Sequence, residues 1–517
     1  MKVTSKVKVL LGFMICGIIT TSYSQIKKKE ADRPNVIVVL ADDIGIGDIS
    51  HYRNLSKGKV VLETPNIDNL AQQGMYFTNA HAPAALCATS RYAIMTGNCN
   101  YRSPVPWGVW SGYAKSVFTP EQITLGKLMK NANYNTAFFG KWHMGTSFNT
   151  LDDPNTIFKE RGKLSTNVDI TKIVAGGPQH NGFDYSFSLP SGIQNVPYSA
   201  YENNNWYPLA KDSKVALITK VDMLKKGVIL NKKDGLGDSN WDPSAIGPLL
   251  INKTIDHIAK VAKKDTPFFI YYCSQAVHLP HNPPKELNGI PIAGTTPSSH
   301  MDMIKELDTQ IGLMVQELKK QGVYENTVFI FTSDNGGLHV DKNTLASGHK
   351  PNSIYRGKKN EPYEGGHRVP FIAVWPKQIA PNQMSDKPIL GLDILATLAG
   401  VTEQHIPEGQ AEDSANLLPV LKGETEVNPH PYLMVQGGAF REAIIIDKDW
   451  KLIIQFDKKD KTDTKRTPVA LFNLKDNITE DEAHNFINDA KYKDKVALLF
   501  KKYNQTRNNQ TPIGNHN

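Results

Sequence analysis

Asn35-Val36-Ile37-Val38-Val39-Leu40 is the run on which the fold turns. Four of its six residues are β-branched, Pro34 precedes it, and Ala41-Asp42-Asp43-Ile44-Gly45-Ile46-Gly47 follows. No polar side chain interrupts positions 36–40, so both faces of the strand are expected to be covered, as in a parallel sheet. A second run, 327–332, ends in Ser333-Asp334-Asn335-Gly336-Gly337, and runs at 267–272 and 371–375 read the same way. Helical patterns fall between them at 66–73, 124–130, 250–262 and 301–321, the last with Leu307, Ile311, Met314 and Leu318 on one side. This alternation predicts an α/β fold with a large mixed, mainly parallel sheet sandwiched by helices. Ligands gather beyond the carboxyl ends of such strands. Asp42-Asp43 and Asp334-Asn335, far apart in the chain, are therefore expected to meet at one sheet edge.

The pattern changes after residue 421. Short apolar runs at 443–446, 451–455 and 469–473, joined by charged turns, predict a smaller antiparallel sheet. A helix over 489–503 and a polar, frayed tail from Asn504 complete the chain. The expected organisation is a leader at 1–24, an α/β domain at 25–420 and an α+β subdomain at 421–517.

The leader reading rests on Lys2, Lys6 and Lys8, an apolar stretch at 9–19 and the small residues Ser22 and Ser24. Such a segment implies export to the periplasm or beyond, and it is too short to span a bilayer. Cys16 leaves lipid anchoring as the lesser alternative. Removing the three lysines lowers the formal charge from +8 to +5. That balance suits an anionic ligand without requiring one. The lysines form no stripe interleaved with aromatics, so no nucleic-acid partner is expected. Cys87, Cys99 and Cys273 are too few for a disulfide scaffold; Cys99 and Cys273 read as buried thiols or as one pair.

Asp42, Asp43, Asp334 and Asn335 supply three carboxylates and an amide oxygen, a hard set suited to Ca²⁺ or Mg²⁺ rather than zinc. Taken singly, Asp-Asp-x-Gly and Asp-Asn-Gly-Gly are also ordinary turn sequences. The segment Cys87-Ala88-Thr89-Ser90-Arg91, continuing to Thr96-Gly97, weighs against that reading. It resembles the signature of the type I, formylglycine-dependent sulfatases of the alkaline-phosphatase superfamily. Further blocks carry the same resemblance. They are Thr64-Pro65-Asn66-Ile67-Asp68, Gly140-Lys141-Trp142-His143, His278-Leu279-Pro280-His281, and Arg356-Gly357-Lys358-Lys359 with Glu364-Gly365-Gly366-His367-Arg368.

The resemblance implies an alkaline-phosphatase-like fold and hydrolysis of sulfate esters on a sulfated carbohydrate, as in exported bacterial polysaccharide sulfatases. It implies that Cys87 is oxidised to formylglycine (3-oxoalanine) by a formylglycine-generating or anaerobic sulfatase-maturing enzyme. It also implies one Ca²⁺, less readily Mg²⁺, held by Asp42, Asp43, Asp334, Asn335 and modified residue 87. Arg91 would orient the nucleophile, Lys141 and Lys359 would grip sulfate, His278 would protonate the leaving group and His143 would accept a proton. His349 and His367 are candidate sugar contacts, as is His339. His281 reads as a cap of the Pro283-Pro284 turn, and Trp107 and Trp110 as core before sugar platform. Thr89 departs from the family pattern, where proline or alanine is usual. That departure keeps open a non-catalytic binder of sulfated glycan with an unmodified Cys87; a phosphodiesterase or phosphonate hydrolase of the same superfamily stays open separately, since some share the formylglycine chemistry.

Overall fold

The computed structural model describes residues 33–509 apart from 161–163, 165, 231 and 461. The expected leader and Cys16 lie outside the described residues.

The strands of the main sheet are β1 (Asn35–Ala41), β2 (Met75–Phe77), β3 (Asn135–Lys141), β4 (Tyr185–Leu189), β5 (Ala200–Glu202), β6 (Asn205–Tyr207), β7 (Phe268–Cys273), β8 (Thr327–Ser333), β9 (Phe371–Val374) and β10 (Gln383–Ser385). They lie in the order β10-β2-β9-β8-β1-β7-β3-β4-β5-β6. The central strands β8, β1, β7, β3 and β4 pair in parallel, with Ala41 opposite Ser333 and Leu40 opposite Cys273. Antiparallel pairings of β9 with β8 and of β5 with β4 make the sheet mixed at its flanks. The fold is therefore the expected one. β1 shows why both faces had to be apolar: Ile37 and Val39 enter one hydrophobic core, while Val36, Val38 and Leu40 enter the other.

Helices cover both faces. They include α1 (Pro65–Gln73), α2 (Cys87–Thr96), α3 (Leu125–Asn131), α4 (Pro243–Val261) and α5 (Ser299–Lys320). Helix α4 begins well before the expected residue 250. Pro248 reads as a boundary in sequence, yet the helix runs through it from Pro243 at its first turn, with the Asp242 side chain accepting from Ser244 N. Strand β3 was not expected at all.

A second sheet is formed by β11 (Leu433–Gln436), β12 (Glu442–Asp447), β13 (Trp450–Phe456) and β14 (Arg466–Asn473), antiparallel throughout. Helix α6 (Lys493–Asn509) packs on it. The frayed tail expected from Asn504 is corrected for 504–509. These residues remain helical, because Tyr503 and Thr506 are buried and Thr506 Oγ1 donates to Lys502 O at 3.0 Å. Residues 510–517 lie outside the described residues. This sheet is not an appendage: its core includes Ala93 of α2 and Leu390 and Leu392 of the main domain. Among the described residues, no helix is long and apolar enough to cross a membrane.

Candidate active site

Four adjacent parallel strands deliver the candidate residues to one edge. Asp42 and Asp43 follow β1, Asp334 and Asn335 follow β8, Lys141 ends β3 and His278 lies just after β7. The β1 and β8 ends are tied together: Asp43 N donates to Asp334 Oδ1 at 3.0 Å and Ile44 N to Ser333 Oγ at 3.0 Å. Asn335 Nδ2 donates to Asp43 Oδ1 at 2.9 Å. All four metal candidates are fully buried.

Cys87 is the first residue of α2, at the positive end of a ten-residue helix where negative charge is favoured. One turn on, Arg91 shares its face. The Arg91 guanidinium donates from Nε to Asp334 Oδ2 at 2.9 Å, brings Nη2 within 2.7 Å of the same oxygen and 3.4 Å of Asp42 Oδ1, and donates from Nη1 to Lys141 O at 3.1 Å. Thr89, the departure from the family pattern, sits without conflict. It is fully buried and its hydroxyl donates to Leu86 O at 2.8 Å, within the first turn.

Lys141 Nζ donates to both oxygens of Asp42, at 2.9 and 2.7 Å, and Lys359 Nζ to Asp43 Oδ1 at 2.5 Å. Lys358 instead faces Glu361 at 3.7 Å and is partly exposed. Gly140 allows the Lys141 turn: its φ is +99°, and a Cβ there would lie 1.9 Å from Cys273 O. His143 Nδ1 approaches Cys87 Sγ at 3.5 Å. His278 Nδ1 donates to Leu279 O at 2.7 Å, which leaves Nε2 facing Asp43 Oδ2 at 3.7 Å. Asp43 and His143 have φ of +65° and +58°, left-handed backbone that costs non-glycine residues about 1–3 kcal/mol and clusters at functional sites.

Burial alone would raise Asp42, but Lys141, His278 and Arg91 hold its carboxyl well below the usual range. Burial likewise opposes Asp43, and Lys359 and His278 overcome it. Asp334 goes the other way. Burial, with Asp42 and Asp43 beside it, pushes it up to about 7 despite Arg91. Burial, then Lys359 and Lys141, bring His278 down to about 3, and burial with Lys141 lowers His143.

A divalent cation fits this donor set. Asp43 Oδ2 and Asn335 Oδ1 are buried oxygens without a hydrogen-bond partner, aimed into a cluster of mutually repelling carboxylates. Three carboxylates face the three cations Arg91, Lys141 and Lys359, so a bound divalent ion would leave the site positive by two and attractive to an anionic ester.

The remaining candidates lie elsewhere. His367 is fully buried: its Nδ1 is 2.9 Å from His81 Nδ1, and Lys451 Nζ donates to its Nε2 at 3.2 Å. Lys451, on β13, also bonds Glu364 at 3.0 Å and Glu480 at 2.7 Å, and Arg368 pairs with Glu364 at 2.6 Å. The Glu-Gly-Gly-His-Arg block thus ties the second sheet to the main domain, and a sugar contact by His367 is corrected to a packing role. His349 is 3% exposed and donates to Asp48 Oδ1 at 2.7 Å, so it too is corrected from sugar contact to a buried partner of Asp48. His281 Nε2 bonds Val277 O at 3.1 Å, upstream of the proline turn it was expected to cap. Trp110 is core and Trp107 packs on Phe456, while His339 is exposed. Cys99 and Cys273 are free thiols in different cores. Asp48, His300 and Lys451 escaped the sequence reading. Asp48 follows the aspartate pair at glycine-rich spacing, the one local signal available.

Comparison with known proteins bears on the family of the chain as a whole. The family model described as Sulfatase matches residues 34–404. An N-acetylgalactosamine-6-O-sulfatase of Bacteroides thetaiotaomicron is 31% identical over 455 residues, covering 82% of this chain and 83% of that protein. The steryl-sulfatase of Homo sapiens is 30% identical over 446 residues, covering 80% and 74%. A solved structure titled for the metabolism of multiple glycosaminoglycans by Bacteroides thetaiotaomicron superposes with a TM-score of 0.76 at 27% identity, covering 92% of this chain and all of that one. With the family match spanning most of the chain and such relatives beside it, the chain belongs to the sulfatase family and is a sulfate-ester hydrolase.

Proposed function

We propose that this sulfatase removes a 6-sulfate from a galactose- or N-acetylgalactosamine-type sugar, with residue 87 acting as a formylglycine hydrate beside a bound Ca²⁺. The observation that carries the mechanism is the convergence of Cys87, Lys141, His143, His278 and Lys359 on one buried carboxylate cluster. The sugar class is supported by the N-acetylgalactosamine-6-O-sulfatase, which this chain matches over four-fifths of both lengths. The leader-like segment 1–24 supports action outside the cytoplasm. Cys87 is 3% exposed inside a helix, so a maturation enzyme has to reach it before the chain folds.

Asp42, Asp43, Asp334 and Asn335 would hold the ion, which offsets negative charge on the sulfate oxygens. Lys141 and Lys359 fix those oxygens as compact charges. One hydroxyl of residue 87 attacks sulfur and gives its proton to Asp334, the carboxylate that bears most strongly on residue 87. The bond from sulfur to the sugar oxygen breaks, and His278 Nε2 protonates that oxygen. Sulfate arriving between Lys359 and His278 adds the negative charge that lifts His278 from its depressed value. His143, against residue 87, then takes the proton of the second hydroxyl. The bond from carbon 87 to the sulfate oxygen breaks, sulfate leaves, and the aldehyde is restored for hydration.

His278→Ala is expected to slow sugar sulfates about 10²–10⁴-fold and activated aryl sulfates less than about tenfold, since only the former need an acid. Equal losses on the two would remove His278 from that role. The function itself is tested by sulfate release from matched 6-O- and 4-O-sulfated sugars, a steryl sulfate and a phosphodiester. The 6-O-sulfated sugar is expected to have the highest kcat/KM. Higher efficiency on the phosphodiester or the steryl ester would overturn the proposal.

A further inference from the structure

Beside the active-site edge lies a second cluster of different chemistry. Asp48, His300 and His349 each offer one ligand atom, and the three atoms lie within 4.8 Å of one another. All three side chains are buried. Asp48 Oδ1 accepts from His349 Nε2 at 2.7 Å, and Asp48 Oδ2 accepts from Gly45 N at 2.8 Å. His300 is the residue without an explanation. It is the second residue of α5, its exposure is 0%, and neither ring nitrogen meets a hydrogen-bond partner.

A wholly buried imidazole carries one N–H and one lone pair, and each left unmet costs about 1–3 kcal/mol. The aromatic neighbours of His300 are His281 at 5.1 Å and His349 at 6.2 Å between centroids. The ring therefore sits among other polar rings, facing a carboxylate.

Two imidazoles and one carboxylate differ in kind from the all-oxygen set at Asp42, Asp43, Asp334 and Asn335. Nitrogen donors select first-row transition ions, zinc above all, over calcium. Ligands about 2.0–2.1 Å from zinc in a tetrahedron lie roughly 3.3 Å apart. The present spread, from 2.7 Å to at most 4.8 Å, closes on that value with small side-chain shifts. For Nε2 of His349 to serve as a ligand, the proton it shares with Asp48 Oδ1 has to leave that nitrogen. The Gly45 N–H on Asp48 Oδ2 is the outer hydrogen bond that holds a ligating carboxylate in orientation.

We propose that Asp48, His300 and His349 form a second metal site for a divalent transition ion, zinc by ligand chemistry. It is distinct from the oxygen-rich site beside Cys87. Its ligands come from the loop bearing Asp42 and Asp43, from the segment leading to Lys359, and from α5. The first two already touch, with Gly47 N donating to Pro351 O at 2.6 Å. The ion would lock the aspartate loop against the lysine loop, so the site is a structural brace and takes no part in sulfur chemistry.

The test is metal analysis of the untagged full chain after dialysis against micromolar zinc with calcium present, alongside His300→Phe and Asp48→Asn. Phenylalanine fills the ring's space without a ligand, and asparagine keeps the carboxylate's shape, so a folding failure in one leaves the other informative. The wild type is expected to retain one zinc per chain. Each variant should bind it roughly 100-fold more weakly or worse, with calcium content unchanged. Cobalt in place of zinc should give visible d–d absorption in the wild type alone. Zinc held equally by wild type and variants is surface metal and overturns the proposal. A wild type that retains none overturns it as well.

Discussion

Replacing Cys87 by serine is expected to end turnover after a single event and to leave the protein sulfated. Serine presents one hydroxyl from the same helix N-terminus, beside the same His143, and can attack sulfur once. The resulting ester lacks the second hydroxyl on carbon 87, so His143 has no proton to remove and the carbon–oxygen bond cannot break by elimination. The ester can then be cleared only by slow attack of water on sulfur. Steady-state turnover should fall roughly 10⁴-fold or more, a loss typical of removing a nucleophile that acts as part of a unit. Intact-protein mass spectrometry should find one added SO₃ per chain. Cys87→Ala should lose turnover equally and gain no mass. Sustained turnover by the serine variant would show that carbon 87 needs no second hydroxyl, and the elimination step would fall.

Asp334→Ala should abolish turnover and destabilise the protein together. Arg91 is completely buried, and Asp334 is its main partner, at 2.7 and 2.9 Å. The 3.4 Å approach to Asp42 and the bond to Lys141 O do not replace it. Leaving a buried cation without its partner costs about 3–5 kcal/mol. Against this stands relief of repulsion, since Asp334 is pushed up to about 7 by burial and by Asp42 and Asp43. The Arg91 loss should win, because the alanine site would hold three cations against two carboxylates. Asp334→Asn separates the two effects: it can still accept from Asp43 N, now bonded at 3.0 Å, so it should fold better yet hold the metal ion poorly. Thermal unfolding with and without added calcium is the measurement. The wild type should gain Tm on calcium addition and both variants should not. A calcium-dependent gain preserved in Asp334→Asn would remove this residue from the ligand set.

How much of this was legible in the chain follows from what leaves a local signal. The apolar run ending in Asp42-Asp43 gives a buried parallel strand almost to the residue, because full burial on two faces permits nothing polar. The same holds for β8 and the Asp334-Asn335 turn beyond it. Strand β3 was missed because Asn135-Thr136-Ala137-Phe138-Phe139 begins polar and is broken by Gly140, although its neighbours bury all of it but Asn135. Helix α4 was shortened because Pro248 reads as a breaker, whereas its place in an early turn removes few hydrogen bonds. Of the histidines, His143 and His278 lie in blocks with fixed partners and fall where the chemistry needs them. His367 lies in such a block and His349 upstream of one, yet both point into the protein, toward Lys451 and Asp48 respectively. Their partners come from distant segments, and no spacing rule reports on a contact between residues 367 and 451.

Mass spectrometry of the proteolytic peptide containing residue 87, from protein made in its native host, is the most direct test of the central claim. The account predicts an aldehyde at that position, captured by a hydrazide reagent, with Thr89 beside it unmodified. A peptide carrying only the cysteine thiol would contradict it, and would leave a fold and ion site able to bind a sulfate ester without the nucleophile to cleave it.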